Sequence, residues 1–146
     1  MGILPRFWWV PLGKVPEIDA SALYQALSAA RRPQILDVRT RLEFNRGHIE
    51  GAVHVPMREL RSQVETLPFD RQRPVVAVCL SAHRSIPAVR LLKAHGFTDV
   101  AQLAGGMIAW RRKGLTTRSH AGLHLRNRTT CFRNRSCALG RILRVQ

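Results

Sequence analysis

The sequence predicts an α/β domain: a parallel sheet with helices on both faces. Three observations lead there. Between positions 19 and 110, short apolar runs alternate with segments of helical period. The run Pro74-Val75-Val76-Ala77-Val78-Cys79 is apolar throughout, as expected of a strand covered on both faces. Finally, 146 residues with 45% hydrophobic content suffice for one packed core without staples.

The elements follow in order. Asp19 is suited to an N-cap and opens a helix expected over 19–30, with Leu23, Ala26, Leu27 and Ala30 on one face. Arg31-Arg32-Pro33 ends it, and 34–38 reads as a strand. After the polar turn Arg39-Thr40-Arg41 comes a short helical piece around Leu42-Glu43-Phe44. The loop Gly47-His48-Ile49-Glu50-Gly51-Ala52 delivers the chain into a strand over 53–55, closed by Pro56. A helix over 57–67 precedes Pro68 and the strand over 75–79. The helix over 85–95 carries Ile86, Val89, Leu91 and Leu92 as apolar positions, with Gly96 as its C-cap. A strand over 100–103 and a Gly105-Gly106 turn lead into a helix through Trp110.

Charge is unevenly placed. Residues 1–99 hold 14 Lys and Arg against all nine acidic residues, a net of +5. Residues 100–146 hold ten with none opposing, and together these give the overall +15. The segment from 116 to 146 shows no sustained period and reads as a basic, largely disordered tail, with at most weak helix near 138–145. At the other end, Phe7-Trp8-Trp9-Val10 lies between Pro5 and Pro11. This is far short of the ~20 residues of a membrane span, and no signal-peptide pattern accompanies it. It reads as an extension, 1–14, packed on a domain of 15–115.

Cys79 is the residue with chemistry. It stands at the carboxyl end of a strand, where ligands gather in parallel sheets, and is followed by Leu80-Ser81-Ala82-His83-Arg84-Ser85. A thiol on a short loop beneath a helix N-terminus meets unpaired N–H groups and the positive end of the helix dipole. Such surroundings make thiolate available near neutral pH. A strand-end cysteine can instead simply pack, as free cysteines often do. His83 and Arg84 in the same loop favour the nucleophile. Cysteines 79, 131 and 137 are too scattered for a disulfide framework or paired zinc ligands, which suggests a reducing compartment, the cytoplasm.

Four segments together resemble the rhodanese-like, single-domain sulfurtransferase family. They are Ile35-Leu36-Asp37-Val38-Arg39; Glu43-Phe44 with the 47–56 loop and strand; Cys79 through Ser85; and Leu103-Ala104-Gly105-Gly106-Met107-Ile108-Ala109-Trp110. Each is a weak signal, but four in order over about two thirds of the chain are specific. The resemblance implies a rhodanese-like fold, Cys79 as the catalytic residue, and Leu80, Ser81, Ala82, His83 and Arg84 as the substrate-binding loop. It further implies a small anionic sulfur donor such as thiosulfate, a persulfide on Cys79, and a thiol or protein acceptor. No organic cofactor or metal is implied. Backbone N–H groups of the loop suit an anionic thiolate or persulfide, and Arg84, with His83 when protonated, would attract a sulfonate-bearing donor. One departure stands out: the common family loop has glycine where this chain has Ala82. If φ is positive there, alanine costs on the order of 1 kcal/mol relative to glycine.

Other polar residues have plainer readings. Asp37, Arg39 and Glu43 brace loops, His48 and His54 hydrogen-bond within the core or its edge, and Gly105-Gly106 makes a turn. Cys131 and Cys137 are assigned no resolving role. Cysteine-dependent phosphatases and arsenate reductases share this architecture but place five residues between Cys and Arg, whereas only four separate Cys79 from Arg84. The tighter loop suits a single sulfur atom, so negligible phosphatase activity is expected. A non-catalytic interaction or regulatory module is the alternative, against which the presence of Cys79 argues. The basic tail is the one candidate for nucleic-acid contact. With Phe132 the only aromatic residue beyond Trp110, nucleic acid is not the expected partner.

Overall fold

A computed structural model describes residues 13–119. Five parallel strands form one sheet in the order β1-β5-β4-β2-β3. They are β1 (Glu17–Ile18), β2 (Gln34–Asp37), β3 (Val53–His54), β4 (Val75–Val78) and β5 (Val100–Leu103). The helices between them are α1 (Ala20–Leu27), α2 (Arg41–Arg46), α3 (Met57–Gln63), α4 (Ser85–Ala94) and α5 (Gly106–Arg112), with a 3-10 turn at Val64–Thr66 continuing α3. The α/β class with a parallel sheet is therefore as the sequence predicts.

Alternation along β4 divides the core. Val75 and Ala77, with Cys79 beyond them, join Leu60, Val89, Leu92 and Phe97 on the α3 and α4 side. Val76 and Val78 join Leu23, Ile35, Met107 and Trp110 on the α1 and α5 side. Successive strand residues point to opposite faces, so a run apolar at every position needs helices on both.

The sequence did not announce β1. Two residues carry no period, and this edge strand exists because Pro16 O accepts from Gln102 N of β5 at 2.8 Å and Ile18 O from Ala104 N, just past its end, at 2.9 Å. Helix α1 also stops earlier than expected, at Leu27 rather than position 30. The Ser28 N–H turns back to Gln25 O, and Ser28, Ala29 and Ala30 are exposed, so no buried face extends the helix. Asp19 is the α1 cap, accepting from Ser21 N at 2.8 Å, and Gly96 follows α4 with φ +85°.

From β2 the chain moves outward to β3; from β4 it moves the opposite way to β5. The direction of winding thus reverses between β2 and β4, and the crevice at such a reversal is where ligands bind in open parallel sheets. Described contacts continue past position 115: Trp110 Nε1 donates to Thr116 O at 3.0 Å, and His48 bridges Arg118 in antiparallel fashion. Among the described residues no helix is long and apolar enough to cross a membrane. The Phe7–Val10 patch, the basic tail, and Cys131 and Cys137 lie outside the described residues.

Candidate active site

Cys79 follows the last residue of β4, at the reversal between β2 and β4. The loop from Leu80 to Arg84 carries the chain into α4, whose first residue is Ser85. Cys79 itself is 1% exposed. Around it Leu80, Ala82 and Arg84 are half-buried, while Ser81 and His83 are exposed and lie against each other, Oγ to Nδ1 at 3.2 Å.

Ala82 is the one non-glycine residue of positive φ among those described, at +68°. The loop therefore turns in the left-handed region where glycine is at ease and alanine is strained. The departure noted in the sequence is thus a real backbone strain at the centre of the loop.

Behind the loop stands the start of α5. Met107 N donates to Cys79 O at 2.9 Å and Ile108 N to Leu80 O at 3.1 Å. A Cβ on Gly106 would lie 2.5 Å from Cys79 O and 2.6 Å from Leu80 O, both backbone atoms. The Gly105-Gly106 pair is a turn, as expected, and it has a second task. It brings two helical N–H groups within reach of the carbonyls of the cysteine loop.

Beneath the site, at the end of β2, Arg39 is wholly buried. Its guanidinium grips the Asp37 carboxylate, Nε to Oδ1 at 2.9 Å and Nη2 to Oδ2 at 2.6 Å. It also donates to Glu43 O at 3.2 Å and Gly47 O at 2.9 Å. The pair holds α2 and the turn after it, the bracing role read from sequence. His54 Nε2 meets Arg39 O at 2.9 Å and His48 Nδ1 meets Phe44 O at 3.0 Å. Both rings stack on Phe44, at 3.8 Å for His48 and 4.5 Å for His54.

Glu43 sits at the third position of α2 in a capping box with Thr40. Its carboxylate also receives both Nη atoms of Arg84, at 3.0 and 2.7 Å. The Arg84 hydrogen bonds, assisted by Thr40, pull the Glu43 carboxyl down to about 2. The same pairing raises Arg84, with the charge of Cys79 a lesser contributor. Arg84 is therefore not the open cation that the sequence suggests. Its fork is filled by Glu43, which leaves less of its charge to attract an anionic donor.

Three polar residues at the site escaped the sequence reading. Cys79 Sγ lies 3.4 Å from Ser85 Oγ, Ser85 Oγ donates to Gln102 Oε1 at 2.7 Å, and Gln102 Nε2 donates to Glu17 Oε1 at 2.6 Å. Gln102 was the legible signal: a polar residue inside the apolar strand run 100–103 has to find a buried partner. Among the described residues no cluster of three His, Cys, Asp or Glu side chains is placed to hold a metal.

A strand-end cysteine at the winding reversal, clamped from behind by a glycine-led helix, is the arrangement of a known class. The profile of the Rhodanese-like domain matches residues 19–113, and the chain belongs to that family. It is 38% identical over 101 residues to a sulfurtransferase of Allochromatium vinosum, covering 69% of this chain and 92% of that one. A chloroplastic thiosulfate sulfurtransferase of Arabidopsis thaliana is 34% identical over 117 residues, covering 73% of this chain and 96% of that protein. Among solved structures, a rhodanese-like domain protein of Staphylococcus aureus superposes with TM-score 0.63 at 31% identity, covering 72% of this chain and all of the other (100%). The Alr3790 protein of Anabaena gives TM-score 0.63 at 32% identity, covering 70% and 91%. These relatives support sulfur transfer in general as the activity of the chain.

Proposed function

We propose that the protein moves sulfane sulfur from a small anionic donor such as thiosulfate to a thiophilic acceptor, through a persulfide on Cys79. The Cys79 thiolate attacks the outer sulfur of thiosulfate. A Cys79 S–S bond forms, the donor's S–S bond breaks, and sulfite leaves with the electron pair. A thiol, a partner protein, or cyanide in an assay then attacks the outer sulfur, and Cys79 departs as thiolate. Neither step needs a metal or organic cofactor.

The observation that carries this reading is the position of Cys79: it opens a six-residue loop at the winding reversal, immediately ahead of α4. The loop's backbone N–H groups and the α4 terminus favour an anion. With Arg84 engaged by Glu43, a sulfonate-bearing donor relies more on those N–H groups and on His83. Leu80 to Arg84 are the substrate-contacting residues. A reducing setting such as the cytoplasm keeps the thiol competent.

The 1% exposure of Cys79 favours a second reading, a non-catalytic interaction module whose cysteine only packs. Under the first reading a donor reaches Sγ when the 80–84 loop shifts, and the strained Ala82 lies in that loop. Intact mass spectrometry after thiosulfate treatment separates the two. One added sulfur, mapped to position 79 and removed by cyanide, supports transfer, and Cys79→Ser abolishes it. No added sulfur, or full transfer by Cys79→Ser, overturns it. Turnover of an aryl phosphate rivalling thiosulfate consumption would show that the loop is not sized for sulfur.

A further inference from the structure

The loop after Cys79 carries one fixed positive charge, and a carboxylate from another element covers it. Leu80 to Arg84 include no acid. Arg84 ends the loop at the N-cap of α4, beside Ser85, whose Oγ lies 3.4 Å from Cys79 Sγ. Glu43 is the main cause that raises Arg84, and the Cys79 charge is a lesser one, so the guanidinium lies within electrostatic reach of the sulfur. Both of its Nη atoms nevertheless turn to Glu43 of α2, at 3.0 and 2.7 Å. The neighbouring buried pair, Asp37 and Arg39, is likewise matched in charge. His83, the other basic residue of the loop, is exposed, with Nδ1 3.2 Å from Ser81 Oγ.

Helix α2 does not need a charge at position 43. In a capping box the third helical residue returns an oxygen to the cap N–H, and glutamine does this as glutamate does. Here Glu43 Oε2 accepts from Thr40 N at 3.0 Å. What the carboxylate adds is its charge, and that charge faces Arg84. An incoming anion therefore meets a neutral pair and a set of N–H dipoles. Dipoles act on the atoms they touch, whereas a free guanidinium attracts total charge over a longer distance.

We propose that Glu43 is a specificity-determining residue for the sulfur donor. By occupying Arg84 it leaves the second charge of a dianion without a cation, and it shifts the site toward donors that carry one negative charge. The chemical class is a monoanion bearing a sulfane sulfur, such as an alkyl persulfide or a thiosulfonate. Attack by Cys79 on either forms the same persulfide, and a thiolate or a sulfinate leaves with the electron pair. Thiosulfate is still a donor, but its second charge brings it little.

The inference rests on the Cys79 loop being the donor site, and its first readout is binding without turnover. The probes are sulfate and methanesulfonate, unreactive tetrahedral anions of two charges and of one. They are titrated into the full chain and followed by the ¹H–¹⁵N shifts of the amides of 80–85. Glu43→Gln keeps an oxygen for the cap and releases the charge of Arg84. It is expected to bind sulfate about fivefold and methanesulfonate about twofold more tightly than wild type, because attraction to one cation grows with the anion's charge. Adding Arg84→Gln to that variant is expected to abolish the gain. Glu65→Gln makes the same change in net charge where Glu65 meets His95, at 3.8 Å, past the far end of α4. It is expected to bind both anions as wild type does.

Sulfate affinity unmoved in Glu43→Gln overturns the proposal, as does a loop that responds to neither anion. Equal tightening of the two anions, or a gain that survives Arg84→Gln, overturns it by assigning the effect to a reshaped loop. A matching gain in Glu65→Gln overturns it by assigning the effect to net charge. In sulfur transfer, Glu43→Gln is expected to raise the ratio of kcat/KM for thiosulfate to that for methanethiosulfonate by about two- to threefold, and a level ratio counts against the proposal. Persulfide formation on Cys79 by mass, measured in parallel, separates failure of the transfer reading from failure of the charge selection.

Discussion

At the scale of single residues, the loop stores strain and the pair beneath it removes charge. Ala82 at φ +68° loses about 1–2 kcal/mol to its left-handed backbone. Glycine would relieve that while adding freedom to the unfolded chain, worth about 0.5–1 kcal/mol. Ala82→Gly is thus expected to stabilise the fold by about 0.5–1 kcal/mol in urea unfolding. An equal or lower midpoint would mean that the alanine is unstrained. Glu43 lies near 2 in the folded protein against an ordinary 4.5, because Arg84 binds its ionised form. A depressed carboxylate contributes stability that is complete above its unfolded value and lost as pH falls through its folded one. Stability should therefore decline from about pH 4.5 toward 2, and Glu43→Gln should flatten that decline. Acid unfolding curves that stay parallel would remove the pair as the cause.

At the scale of elements, α5 and the cysteine loop act as one unit. A Cβ at Gly106 would meet backbone carbonyls at 2.5 and 2.6 Å, and neither can move without dragging the loop or the sheet. Gly106→Ala is expected to cost several kcal/mol, of the order seen when overpacking is combined with positive φ. Sulfur loading should be lost with it. The companion change Gly114→Ala, with positive φ but nothing within 4 Å, isolates the backbone term and should leave loading intact. If both variants load sulfur equally, the close approach of α5 is not what shapes the site. At the end of β2 the Asp37–Arg39 pair is sealed from water, at 1% and 0% exposure. Removing one member strands a buried charge, so Asp37→Ala should cost about 3–5 kcal/mol in denaturant unfolding.

At the scale of the whole molecule, the contacts of Thr116 and Arg118 decide where the domain can be cut. A chain ending after Leu115 loses the Trp110–Thr116 hydrogen bond and the His48–Arg118 bridge. It should unfold at lower denaturant by the equivalent of about 1–3 kcal/mol. A chain ending after Ser119 keeps both and should retain sulfur loading on Cys79. Comparing the full chain with the one that ends after Ser119 addresses the charge imbalance. RNA or DNA affinity that falls steeply with salt in the full chain, and vanishes when the chain ends after Ser119, would assign nucleic-acid binding to the basic end. Equal affinity would dismiss it.

The sequence by itself determined the α/β class, the order of the main elements, the place of Cys79 and the turn at Gly105-Gly106. These depend on local period, on caps such as Asp19, and on glycine at tight turns, all written within a few residues of each other. Only the tertiary structure decided that Arg84 closes on Glu43, 41 positions away, and that Gln102 donates to Glu17 across 85. It also decided that Glu17–Ile18 become a strand and that Cys79 is buried. Each is a pairing between groups far apart in sequence, set by which strands lie side by side and which helix caps the end of the sheet. Period and propensity carry no signal of that, because a buried polar group's partner is chosen by proximity in the folded chain.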